Sequence, residues 1–184
     1  MMVVARGWRM RRWTFLFLIG VFAIYSLVAI GQEARFRSVA PSPLKRSVFV
    51  APNETRFAGS AEVAGDFEVL WEPESEGFGG GFRVVFKPDA QSRRILPHDV
   101  ERGAVREVWL RNTEKAISAL ISPAQRKAII ARRQGLTGHA TIVITSYRTG
   151  IDCDQRDYNA LFVSVVRPAT DVSNAARADD AFTC

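Results

Sequence analysis

Residues 66–72, DFEVLWE, alternate Phe67, Val69 and Trp71 with Asp66, Glu68 and Glu72, and only Leu70 breaks the pattern. Side chains along an extended chain point to opposite faces in turn, so this spacing describes a strand with one buried face. Residues 82–87, FRVVFK, supply its natural partner, closed by Pro88. The connection over residues 74–81 ends in three glycines. The pair reads as a β-hairpin with a long loop, and a hairpin needs further strands to bury its apolar face.

Those strands are found by working outward. Residues 47–51 form a short apolar run stopped by Pro52 and Asn53, and residues 105–111, VREVWLR, read as a strand. Residues 139–148, HATIVITSYR, and 158–167, YNALFVSVVR, are rich in β-branched and aromatic residues and form a second hairpin across TGIDCDQRD. Residues 115–121 fit two patterns: Ile117, Leu120 and Ile121 share a helical face, while Ile117, Ala119 and Ile121 share a strand face. Because a residue before proline avoids α geometry, Ser122-Pro123 favours the strand. Residues 123–134 read as helix, with Ser122 as cap, Pro123 in the first helical position and Gln125 completing an S-x-x-Q capping box. Gly135 is expected to stop it in left-handed geometry, with Leu136 folding back on Ile130. The expected fold is a mainly antiparallel β (α+β) domain, a small barrel or rolled sheet of about six strands with one α-helix. No internal repeat of 20 to 50 residues is evident, which speaks against a solenoid or propeller.

The N-terminal part belongs to a different solvent. Residues 13–30, WTFLFLIGVFAIYSLVAI, carry no charge. At about 1.5 Å per residue they span roughly 27 Å, close to a bilayer's hydrocarbon core. Residues 13–31 are therefore expected to be a transmembrane helix whose partner is the lipid bilayer, with Trp8, Trp13 and Tyr25 at the membrane interfaces. Arg6, Arg9, Arg11 and Arg12 crowd the preceding flank without an acid, which favours a cytoplasmic tail over residues 1–12 and a domain outside the cytoplasm, periplasmic or extracellular. A cleaved signal peptide is the competing reading, since Ala29 and Gly31 resemble a cleavage site; the apolar run exceeds the roughly 7 to 15 residues usual for such a segment. Residues 32–46, with Pro41 and Pro43, read as a linker, residues 47–167 as the domain, and residues 168–184 as a flexible tail.

The net charge of +6 invites a nucleic-acid reading, but the first 44 residues hold six arginines and one glutamate, leaving 19 basic and 18 acidic residues beyond them. The domain is near neutral, and nucleic acid is not an expected partner. Within it, residues 54–76 hold seven acids against Arg56, while residues 83–148 hold thirteen basic residues against five acids. Opposite charges on successive segments are expected to meet across neighbouring strands.

Candidate chemistry is sparse. Asp152, Asp154 and Asp157 offer oxygen ligands to a cation such as Ca²⁺, but they lack the glycine and distant glutamate of an EF-hand, and aspartates are ordinary turn residues. His98 with Asp99, and His139, are the candidate bases, yet no nucleophile motif surrounds Ser146 or Ser164. FGGGF, residues 78–82, precedes a strand rather than the helix of a phosphate loop, and Asn53-Glu54-Thr55 fits a glycosylation pattern. No catalytic residue and no cofactor is assigned. Trp71, Trp109, Phe67, Phe82 and Phe86 read as core, or as the lining of a groove. The expected role is a non-enzymatic, membrane-anchored envelope domain that binds a protein partner or assembles into a complex; the alternative is an anchored carrier or sensor holding a small ligand inside the β domain.

Cys153 and Cys184 are the only cysteines. A bridge between them would close the tail and contribute on the order of 3 to 4 kcal/mol in the chain-entropy model, while two separate thiols or a bridge between chains from Cys184 remain the alternatives. Alkylation of the membrane-embedded protein with and without reduction checks this: both thiols blocked until reduction, and joined in one peptide pair, is the expected result; free thiols in freshly trapped cells would point to a cytoplasm-facing domain.

Overall fold

The computed structural model describes residues 36–47, 54–72, 80–101, 103–132, 134–152 and 155–175. The chain divides into two compact units, Met1–Arg37 and Ser38–Cys184. Of the first, the described part is a two-residue strand, β1 (Phe36–Arg37). The anchor expected over residues 13–31, with Trp8, Trp13 and Tyr25, lies outside the described residues. No helix among the described residues is long and apolar enough to cross a membrane.

The second unit is mostly β. Its elements are β2 (Lys45–Arg46), β3 (Thr55–Glu72), β4 (Gly81–Pro88), α1 (Ala90–Ile95), β5 (His98–Asp99), β6 (Val108–Leu110), α2 (Thr113–Leu120), α3 (Pro123–Arg132), β7 (Leu136–Asp152) and β8 (Gln155–Asn174). The alternation noted over residues 66–72 extends back along the 18-residue β3, broken by a bulge between Phe57 and Ser60. Phe57, Ala61, Val63, Phe67 and Val69 are buried, and Arg56, Glu62 and Asp66 are exposed. One edge of β3 pairs with β4, Phe67 opposite Phe86 and Val69 opposite Val84. The other edge pairs with β7 from Thr55 opposite Thr149 to Val69 opposite Leu136. β7 continues to β8, β8 to β6 in parallel, and β6 to β4, so the ladder returns to β3 and six strands share one sheet. A sheet closed on itself needs no second layer, because its inward face is the core. Phe67, Phe86, Ile142, Ile144 and Tyr147 fill that interior, each under 2% exposed.

Closure leaves gaps in the hydrogen-bond ladder, and side chains fill them. β6 has three residues. Beyond it Arg111 N–H donates to Ala160 O at 3.0 Å. The Asn112 amide then donates to Phe162 O and accepts from Phe162 N–H, both at 2.8 Å, in place of one more peptide group. On the β3 edge ahead of β4, Ala64 N–H donates to Ser92 Oγ at 2.8 Å and Ala64 O accepts from Asp89 N–H at 2.9 Å. Asp89 caps α1, its carboxylate taking Ser92 N–H at 2.7 Å.

Several expectations are corrected. There are three helices among the described residues where one was expected. Residues 115–121 are not a strand: α2 buries Ala116, Ile117 and Leu120 against β4 and β8. The Ser122-Pro123 constraint acts only locally, and the chain leaves helical geometry at Ile121. α3 starts as expected, with Gln125 Oε1 accepting from Ser122 N–H at 2.7 Å and Gln125 N–H donating to Ser122 Oγ at 3.2 Å. Gly135 is not among the left-handed glycines. It is small because β3 lies against it: a Cβ there would stand 2.5 Å from Leu70 Cδ2. Leu136 starts β7, and Ile130 is 44% exposed. The stretch assigned to a linker belongs to the second unit from Ser38 onward. There Leu44 is buried, Lys45 and Arg46 pair with Ala58 and Phe57, and Ala40 N–H reaches Arg94 O at 2.8 Å. The tail assigned from residue 168 is strand as far as Asn174, which pairs with Leu136.

The segregated charges do meet between strands: Glu72 binds Arg83 and Glu68 binds Lys87 at 2.9 Å, and Glu54 binds Arg148 at 3.3 Å.

Replacing Asn112 with alanine strips partners from two main-chain groups of Phe162. The expected cost is about 2 to 4 kcal/mol. A urea titration checks it, with a lower midpoint at unchanged slope.

Candidate functional site

The sequence-derived candidates are scattered. His98 and Asp99 form β5, buried over one group of barrel side chains. His98 Nδ1 lies 3.3 Å from Leu96 O. Asp99 N–H donates to Tyr158 Oη at 3.2 Å, and its carboxylate takes Glu101 N–H at 3.1 Å. Tyr147 donates its hydroxyl to Pro97 O at 3.0 Å and stacks on Tyr158, with ring centroids 6.1 Å apart. Thr149, fully buried, keeps an Oγ1 with no hydrogen-bond partner. This is an internal polar cluster that ties the 97–99 segment to β7 and β8.

His139 lies elsewhere, exposed on the outer face, its Nδ1 2.9 Å from Asp66 Oδ1 across the β3–β7 ladder. Ser146 and Ser164 are both exposed. Asp152 and Gln155 pair at the end of the β7–β8 hairpin. Asp154, Cys153, Cys184 and the side chain of Asp152 lie outside the described residues, and Asp157 stands half-buried on β8. No group of three His, Cys, Asp or Glu that could hold a metal occurs among the described residues.

What the fold does assemble is a row of side chains on the outside of the barrel. Residues directly opposite each other in a ladder face the same way. Arg56 stands opposite Arg148, Arg148 opposite Asn159, and Asn159 opposite Trp109. Their neighbours Thr55, Thr149, Tyr158 and Leu110 are buried inside, so the row faces outward, and Arg111 falls on the same side as Trp109. A bulge re-phases β7 here. The register slips between Thr145 and Arg148, so that Ile144 and Tyr147 both face inward although three residues apart, and Ser146 takes a positive φ of 49°.

One end of the row is self-contained. Arg83 lies over the Trp109 ring at 5.3 Å and binds Glu72, while Trp109 Nε1 donates to Glu107 at 3.1 Å. The other end is not. Glu54 serves both Arg56, through Oε1, and Arg148, through Oε2. Its hydrogen bond from Arg56, then the charges of Arg148, Arg56 and Arg111, hold its carboxyl below the usual range against a burial effect in the opposite direction. Arg111 has no carboxylate within salt-bridge distance among the described residues. Its Nη2 reaches Ser146 O at 3.3 Å. Partial burial, then the charge of Arg148, draw its pKa down, with Glu54 opposing and Arg56 adding to the effect. An arginine remains charged regardless, so Arg111 is a cation with no carboxylate directly paired to it among the described residues. Sequence reasoning missed this cluster because residues 56, 111 and 148 share no local motif.

Burial, then the neighbouring Tyr158, push the Tyr147 phenol well above 10.0. A raised folded pKa favours the neutral form, so this contribution is complete below the unfolded value and is lost as pH rises past about 10. The melting temperature should therefore fall steeply above that pH, and a shallower alkaline fall is expected in Tyr147→Phe, which also loses about 1 kcal/mol at neutral pH with the Pro97 hydrogen bond.

Comparison with protein-family models, curated proteins and solved structures finds no match, so function is argued from the site and not from kinship.

Proposed function

We propose that this chain is a single-pass membrane protein, held in the bilayer by residues 13–31, whose β domain lies outside the cytoplasm and binds a protein partner in an envelope complex without catalysing a reaction. The observation that carries the binding reading is the outer row ending at Arg111, a cation held on a rigid sheet with a main-chain carbonyl as its hydrogen-bond acceptor. Charge at a rim steers and orients a partner, and rigid strands keep it in place. The two histidines are held separately, His98 by Leu96 O and His139 by Asp66 on the outer face.

The alternative, a small-ligand carrier, places its ligand inside the β domain. Phe67, Phe86, Ile142 and Tyr147 occupy that interior, so a guest would have to displace packed side chains. The outer face is therefore the better-supported binding surface.

Mild detergent extraction of the full chain, followed by size-exclusion chromatography, tests this. A stoichiometric second protein is expected to co-elute with the wild type and to be lost in Arg148→Glu, with the melting temperature within a few degrees of wild type. A chain that elutes alone and is stabilised by an apolar ligand would establish the carrier reading instead.

A further inference from the structure

We propose that Arg111 and Arg148, with Arg56 beside them, form a binding site for a dianionic phosphate monoester on the outer face of the barrel. This names the ligand chemistry of the face described above and rests on that binding reading.

The argument is one of charge and shape. Arg56 and Arg148 are directly opposite across β3 and β7, an arrangement that repels unless an anion sits between them. Glu54 supplies that anion, with one oxygen to each. Arg111 is then a third guanidinium held by Ser146 O. Two other carboxylates near this face are held by neighbours, Glu72 by Arg83 and Glu107 by Trp109. Three guanidiniums against one carboxylate leave two positive charges, which one phosphate monoester dianion neutralises. A second carboxylate would cancel only one. A ligand carboxylate offers two oxygens in one plane, whereas a phosphate monoester has three terminal oxygens for three donors. Asn159, registered between Arg148 and Trp109, adds an amide beside them. The Ser146 bulge suits this role, because its outward carbonyl holds Arg111 near the cluster through a 3.3 Å bond that a charged ligand would outcompete.

The test uses the full chain in detergent and titrates phenyl phosphate by calorimetry at constant ionic strength, with benzoate and phenyl sulfate as monoanionic controls. Saturable binding of phenyl phosphate over both controls is expected, strengthening from pH 5 to pH 7.5 as the second proton leaves the ester at about 6. Arg111→Gln should weaken it about ten- to a hundredfold, the loss of one charge-assisted contact. Glu54→Gln should tighten it several-fold by removing the competing carboxylate, and Arg132→Gln, on α3, should leave it unchanged. Vesicles of phosphatidylcholine with and without phosphatidic acid identify the source. Arg111-dependent retention on the acidic vesicles assigns the phosphate to a lipid headgroup, and a response to phenyl phosphate alone assigns it to a soluble or protein-borne ester. No saturable binding in either arm, or binding that Arg111→Gln leaves intact, overturns the proposal. If phenyl phosphate and vesicles both fail while partner retention still depends on Arg148, the ligand chemistry is wrong and the protein-binding reading stands.

Discussion

β3 is hydrogen-bonded on both edges at once from Gly65 to Val69, to β4 on one side and β7 on the other, and this double pairing governs the rest of the domain. A strand engaged on both sides by partners that are themselves joined through β6 and β8 has no free edge along that stretch, so the sheet must curl and close. The close approach depends on Gly65, where a Cβ would collide with Lys87 O. Phe67, two residues along on β3 and opposite Phe86 on β4, is fully buried in the interior.

A closed sheet makes strict demands on its backbone groups, since a buried N–H or C=O without a partner costs about as much as a lost hydrogen bond. The chain meets them with side chains where strands are too short. Asn112 extends β6 toward Phe162, and Ser92 with Asp89 completes the β3 edge ahead of β4. These residues also initiate or cap the helices that follow, so α1 and α2 are positioned by the same bonds that complete the sheet. Helix and ladder are coupled at both places, which supports two short helices, α1 and α2, that would be marginal alone.

The same closure decides where chemistry can sit. Inward positions are taken by Phe67, Phe86, Ile142 and Tyr147, and the polar cluster around Tyr147 and Tyr158 is bonded to the segment bearing Pro97 and Asp99. Outward positions collect residues from four strands into one row, and the bulge at Ser146 shifts Arg148 into line with Arg56 and Asn159. Opposite charges meet along the sheet at Glu68–Lys87 and Glu72–Arg83, whereas Arg111 rests on the Ser146 carbonyl.

Local pattern determined a good part of this protein. The period-2 run at residues 66–72, the partner strand at residues 82–87, the β7–β8 hairpin and the capping box of α3 each depend on neighbours within a few positions, and each was legible. The strand ahead of Gly65 was not, because Ala58 to Ala61 break the alternation at a bulge between Phe57 and Ser60. Nor was α2, whose Ile117 and Ile121 fit helix and strand alike until β4 and β8 provided a surface for the helical face. The length of β8 beyond Pro168 depended on β7 offering a ladder as far as Leu136. The arginine cluster was decided wholly by tertiary structure: residues 56, 111 and 148 lie far apart in the chain, and only the ladders running from β3 through β7 and β8 to β6 bring their charges to one face.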